Sequence, residues 1–246
     1  MMKNGTLFIL LLACFFVCGP NEGIAQSISI SMGEEGSIAK TSIQLFLLIT
    51  LLSLAPGIAI MLTCFPFILT VLSILRQAIG LQQSPPNMLI VSLSLFLTYF
   101  VMEPVFSSAW TTGVTPFLDD AISQDVAIER VLQPFQAFMS SRVDQDTLLN
   151  MASLRANTVS ADIVSDPPLS VLLPSFMISE VSRAFQIGFI LFLPFLVIDL
   201  VVAAILMSMG MMMVPPAIVS LPFKLGFFVL ADGWSLVAGS LVRGYF

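Results

Sequence analysis

Met207-Ser-Met-Gly-Met-Met-Met-Val-Pro-Pro216 closes a run of forty residues, between Arg183 and Lys224, whose single charge is Asp199. About twenty apolar residues in a helix cross a ~30 Å hydrocarbon layer. Forty are too many for a soluble core helix and enough for two spans joined at a break. Pro215-Pro216 supplies the break, because proline lacks an amide hydrogen and clashes with the preceding turn. A carboxylate inside such a run costs at least ~2.5 kcal/mol, so Asp199 needs a partner or a task. This stretch predicts a membrane protein.

Outward from it, composition agrees. Of the 246 residues 57% are hydrophobic and 10% charged, with a net charge of −6, against ~25% charged in soluble domains. No Lys/Arg cluster marks a nucleic-acid or polybasic lipid site. No charge falls between Lys40 and Arg76, nor between Arg76 and Glu103. Ile43 to Leu75 would span ~50 Å as one helix, so Pro56-Gly57 and Pro66 predict a kinked or tilted helix. Ser84-Pro85-Pro86-Asn87 is a turn with Asn87 placed as an N-cap. A second apolar helix is expected from Met88 to about Met102, stopping at Glu103-Pro104.

From Pro104 to Arg183 nine acids accompany four arginines, the habit of a solvated surface, with Glu180 counted among those acids. Asp119 to Met139 and Arg142 to Asn157 read as helices there. A third apolar helix is expected from about Phe185 to Met209 and a fourth from Ala217 to about Val242. Ala55, Ala59, Thr63 and Ala231, Ser235, Gly239 are small-residue stripes suited to close helix contact. Pro85-Pro86 with Ile90-Val-Ser-Leu93 echoes Pro215-Pro216 with Ile218-Val-Ser-Leu221, which suggests two equivalent hairpins.

At the start of the chain, Lys3, the apolar stretch Leu7–Val17 and Gly23-Ile24-Ala25 form a secretory signal pattern, with cleavage expected after Ala25. An uncleaved anchor and a lipoprotein signal at Cys14 are the rival readings. The expected fold is therefore an all-α membrane protein. Its parts are a signal peptide (1–25), a periplasmic segment (26–42), a first apolar helix hairpin (43–103), a soluble periplasmic helical insert (104–183) and a second apolar hairpin with a Met-rich loop (184–246). Both Pro-Pro tips then face the cytoplasm.

Two features carry functional expectations. Lys224 is the only cation between Arg183 and Arg243, hence the natural partner of Asp199. Counted back from Val214, Asp199 lies fifteen residues away while Lys224 lies eight past Pro216, which suggests pairing between neighbouring subunits or with a shifted helix. A lone methionine is ordinarily a core filler, but Met209, Met211, Met212 and Met213 point in different directions and cannot fill one gap. Around a common axis they would form a compliant apolar gate that excludes ions. The absence of histidine removes Ser/His hydrolysis and His-containing zinc sites. Asp199 and Asp232 are the only carboxylates an intramembrane aspartyl protease could use. No enzyme, metal or cofactor is expected. A proton-coupled small-solute transporter is the alternative.

Pro174-Ser-Phe-Met-Ile-Ser-Glu-Val-Ser-Arg-Ala-Phe-Gln-Ile-Gly188, Pro194-Phe-Leu-Val-Ile-Asp-Leu200 and Met209-Gly-Met-Met-Met-Val-Pro-Pro216 resemble the FliP family of type III secretion export-gate proteins, over roughly residues 40 to 246. Ser175 departs from the Ala expected there. Pro222-Phe-Lys-Leu225 and Asp232-Gly-Trp234 favour the flagellar branch over the injectisome one. The resemblance implies an inner-membrane subunit of the flagellar basal body. It implies a ring of copies (five in the family) assembled with FliQ, FliR and other export-apparatus membrane proteins, passing unfolded flagellar proteins. It implies that Met211, Met212 and Met213 close the pore, and that the apolar helices pack largely on one another.

Overall fold

The computed structural model describes residues 37–81, 85–154, 167–211 and 213–245, and its regular elements are all helices; the described residues contain no strand. The signal-peptide pattern lies outside the described residues. The chain divides into two compact units, residues 1–53 and 54–246.

In the first unit the described chain is the opening part of α1 (Ser37–Met61). From Ile43 onward its apolar side chains are exposed, Phe46 and Leu52 among them. Thr50 and Ser53 fold their hydroxyls back onto backbone carbonyls of the same helix, Ser53 Oγ donating to Thr50 at 2.8 Å. Polar groups without water nearby satisfy themselves in this way.

In the second unit α1 stops before Pro66. Thr63 Oγ1 donates to the Ile60 carbonyl at 2.9 Å and accepts the Phe65 amide at 3.4 Å, so the break is held by one hydroxyl. Helix α2 (Phe65–Ile79) starts with Pro66 in its first turn, where the missing N–H costs nothing. The single kinked helix expected over 43–75 is thus two helices. Helix α2 is also the most enclosed: Ile68, Val71, Leu72, Leu75 and Ile79 are all 1% exposed or less. It ends at Gly80 in the left-handed conformation (φ +89°), a glycine-favouring C-cap.

Helix α3 (Asn87–Ala109) does not stop at Pro104. It continues into a π-helical segment, Trp110–Val114, and a short α4 (Thr115–Leu118). Where few outside groups can take freed backbone donors and acceptors, a local change of helical pitch keeps them paired, and proline is tolerated. Gly113 in the π segment lets α5 (Gln124–Arg142) approach: a Cβ there would lie 2.5 Å from Val131 Cγ2 and 2.9 Å from its backbone nitrogen. Helix α6 (Gln145–Ser153) is capped by Asp144, whose Oδ2 accepts the Thr147 amide at 3.0 Å.

Helix α7 (Leu169–Ser208) runs forty residues with Pro174 and Pro194 inside it, ~60 Å at 1.5 Å per residue. The expected start at Phe185 is therefore sixteen residues late, and the insert has no clean edge at Arg183. Gly188 in α7 lies against Ile74 of α2; a Cβ would meet Ile74 Cδ1 at 2.5 Å. Helices α8 (Pro216–Leu230) and α9 (Gly233–Arg243) replace the single fourth helix. They bend by 61° at Asp232, which takes a left-handed conformation (φ +49°). Among the described residues three helices are long and apolar enough to cross a membrane, or four if α8 and α9 count as one.

The core lies between α2, α3 and α7, around Cys64, Ile68, Leu72, Met102 and Ala184. The long helices contribute little of themselves to it: 28% of the apolar span of α3 and 17% of that of α7 is buried. The rest of their apolar surface needs lipid or other protein chains.

Candidate functional site

Two polar clusters interrupt this apolar architecture. The first joins α7, α8 and α2. Asp199 Oδ2 lies 2.6 Å from Lys224 Nζ, and Asp199 Oδ1 accepts the Ser220 hydroxyl at 2.6 Å. Lys224 Nζ also donates to the carbonyl of Ala78 at 3.1 Å. Ala78 is in the last turn of α2, where carbonyls lack helical partners and the helix dipole favours a cation. Lys224 is buried, at 5% exposed, and Ser220 at 0%, while the Asp199 side chain keeps 34% of its surface. The ammonium is thus enclosed with two oxygen acceptors, and the carboxylate sits at the rim.

This places the pair within one chain, as the shifted-helix alternative has it and not as pairing between subunits. Helix α7 ends at Ser208, not at Val214, so Asp199 is nine residues below its end. Lys224 is eight residues above the start of α8 at Pro216. At 1.5 Å per residue these offsets are ~13 and ~12 Å, so the two are level. The seven residues between the helices add no height.

Those seven residues, Met209 to Pro215, carry the methionines. Gly210 adopts φ +74°, a conformation open to glycine at no steric cost, and reverses the chain directly after α7. The Met211 amide bonds back to Leu206 O at 3.0 Å. Met209 is 66% exposed, Met211 38% and Met213 98%; Met212 lies outside the described residues. Pro215 is the N-cap of α8 and Pro216 its first residue. Below the loop, Val201, Ile205, Val219 and Phe223 line an open apolar groove between α7 and α8.

Around Pro85-Pro86, the corresponding tip after α2, Arg76 donates to the Asn87 side chain and to the Pro85 carbonyl at 3.5 Å. Asn87 is not the N-cap: Pro86 is, and the Asn87 side chain is taken by Arg76.

The second cluster was not legible as a site. Glu180, read as part of a solvated surface, is 0% exposed. Its Oε1 accepts Arg142 Nε at 3.3 Å and Arg183 at 3.1 Å, and its Oε2 accepts the Tyr245 hydroxyl. Arg142 also donates to the Gly244 carbonyl at 2.7 Å and stands 4.1 Å over the Tyr245 ring. Burial, reinforced by the Glu180 carboxylate beside it, pushes the Tyr245 hydroxyl well above its usual range, so it stays a donor. The available signal was Glu180 three residues before Arg183 amid apolar neighbours, a spacing that pairs charges on one helix face.

Comparison with known proteins follows the same blocks. The model of the FliP family matches residues 48–241. The chain belongs to the FliP family. A flagellar biosynthetic protein FliP from Caulobacter vibrioides is 49% identical over 245 residues, covering 99% of this chain and 92% of that protein. The FliP of Agrobacterium fabrum is 50% identical over 86% of each chain. That of Bacillus subtilis is 44% identical over 89% of this chain and 99% of its own length. Both polar clusters and the described methionines lie inside the FliP match or within a few residues of its end.

Proposed function

We propose that this chain is a subunit of the flagellar type III protein export gate. In this reading several copies, five by family likeness, form a ring with FliQ and FliR in the inner membrane at the flagellar basal body. Other export-apparatus membrane proteins flank it, and unfolded flagellar proteins pass through. The loop of Met209, Met211, Met212 and Met213 is the gasket that seals the passage. Residues 1–25 are a removed signal, both Pro-Pro tips face the cytoplasm, and the region around α5 and α6 faces the periplasm.

One observation carries the gasket: Met213 is 98% exposed and Met209 66%, in a residue type ordinarily used to fill cores. Two apolar side chains left largely bare at the tip of two apolar helices require something opposite them, and copies of the same loop around an axis supply it. The Asp199–Lys224–Ala78 tie holds α7 and α8, about two to three turns from the loop, in register with α2, so the seal rests on a fixed frame. It also occupies Asp199, which the transporter alternative would need free. Bare apolar faces on α1, α3 and α7 fit burial against lipid, FliQ, FliR and other copies.

The test is cross-linking. With Met213→Cys in a chain otherwise lacking Cys64, each copy carries one thiol at the loop, and a short thiol cross-linker should join neighbouring copies pairwise into covalent dimers. Recovery of monomer alone from complexes of full assembled mass would overturn the gasket.

A further inference from the structure

The segment after α9 ends in contact with the corner between α5 and α6, although Tyr245 and Arg142 are about a hundred residues apart in sequence. On the α7 side that corner is held by three bonds. Arg142 Nε reaches Glu180 at 3.3 Å, Arg183 donates to the Arg142 carbonyl at 3.2 Å, and the Asp144 amide donates to Ser179 Oγ at 3.0 Å. Gly244 and Tyr245 also meet it. The Gly244 carbonyl takes a second guanidinium donor from Arg142 at 2.7 Å, the phenol ring covers that guanidinium, and the hydroxyl completes Glu180. The ring is seated edge-on against Phe67 of α2, 5.6 Å between centroids, and stacked on Phe138 of α5 at 6.1 Å.

Within this cluster Glu180 faces two arginines, so its charge is more than matched without Tyr245. The hydroxyl is not needed for neutrality. What it adds is a fourth direction of constraint and a cover that keeps water from Arg142, whose side chain is only 16% exposed. A charge-assisted hydrogen bond in such a place is stronger than a neutral one.

We propose that Tyr245 is a latch: a positioning residue that clamps the α5–α6 corner onto α7 through Arg142 and Glu180, making α9 and that corner move as one piece. The latch is separate from the methionine loop and stands whether or not that loop seals a pore. Released, the corner peptide at Val143, already extended (ψ 139°), becomes available to other proteins and to proteases.

Trypsin reads this directly, because the peptide after Arg142 is the corner itself. Exposed Arg130, further up the same helix, is the internal control. On the full-length chain in detergent, Tyr245→Phe removes the hydroxyl and keeps the ring; cleavage after Arg142 should rise on the order of tenfold, as expected for losing a bond to a charged group. Tyr245→Ala should raise it further, and cleavage after Arg130 should stay within about twofold. In a Glu180→Gln background Tyr245→Phe should add far less, since its acceptor has lost its charge. Unchanged cleavage in Tyr245→Ala overturns the latch. So does a parallel rise at Arg130 and Arg142, which would mean general loosening. Tyr245→Phe behaving as wild type would take Glu180 out of the clamp and overturn it equally.

Discussion

Lys224 Nζ lies 2.6 Å from Asp199 Oδ2 and 3.1 Å from the carbonyl of Ala78, so one buried ammonium in α8 joins the interior of α7 to the last turn of α2. Replacing Asp199 with Ala leaves the cation with a single backbone acceptor. Breaking a buried pair costs ~3–5 kcal/mol, and the exposed rim of Asp199 lowers this to about 2 kcal/mol. Asp199→Glu should cost less. The swap Asp199→Lys with Lys224→Asp should rescue only in part, because it aims a carboxylate at the Ala78 carbonyl. Thermal unfolding in detergent checks the order: wild type, Glu, swap, Ala. A swap as stable as wild type would show that the carbonyl contact is idle.

Glycine positions separate packing inside the subunit from packing between copies. At Gly188 an added methyl would press into Ile74 at 2.5 Å, so Gly188→Ala should destabilise the isolated chain by ~1–3 kcal/mol. At Gly239 an added methyl meets nothing within 4 Å. Gly239→Ala should therefore leave the isolated chain as stable as wild type. The bend at Asp232 leaves Ser235 and Gly239 together on α9 without Ala231; if that face is covered by another chain, the same change should reduce the yield of assembled complex. Melting curves and assembled mass, measured on both variants, distinguish the two effects.

The Asp144 carboxyl is held below its usual 3.8, first by the Thr147 hydroxyl and then by the Thr147 amide. A depressed carboxylate contributes stability that is fully present above the unfolded value and is lost as pH falls through the folded one. Helix α6 should thus loosen only below about pH 3.8, and Asp144→Ala should remove that acid dependence while Asp144→Asn keeps the cap at neutral pH. Hydrogen exchange of the α6 amides against pH reads it. Acid loosening that persists unchanged in Asp144→Ala would assign the effect elsewhere.

Which of these features could be read from sequence follows from the range of the interactions. The uncharged runs, the Pro-Pro breaks and the Asp199–Lys224 partnership are local or nearly so, and they were legible. The level pairing of those two residues was missed because the helix end at Ser208 depends on Gly210 turning at positive φ, while the count began at Val214. Helix α3 outran Pro104, and α7 starts at Leu169 and carries Pro174 inside it instead of starting at Phe185, because the rule that proline stops a helix belongs to water, where freed backbone groups find other partners. The Glu180 cluster draws on Arg142 and Tyr245, 38 and 65 residues away. No periodicity announces contacts of that span; charge near Arg183 was its only trace.

The methionine loop allows the sharpest distinction. Met209 is 66%, Met211 38% and Met213 98% exposed, so replacing Met211, Met212 and Met213 with Ala changes a loop whose described methionines lie outside the buried core. A buried Met→Ala would cost ~2–5 kcal/mol; here the unfolding temperature of the isolated chain should barely move. In a ring, each subunit loses three flexible thioethers at the same narrow place, and the opening left admits water. Dewetting of an apolar constriction blocks ions only while the constriction stays narrow. The triple variant should therefore assemble in normal amounts and still pass protein, yet conduct small ions where the wild type does not. A core-filling role predicts the reverse, less assembled complex and no leak. Conductance compared at equal assembled amounts decides between them, and an intact triple variant as tight as the wild type would remove the seal from the loop.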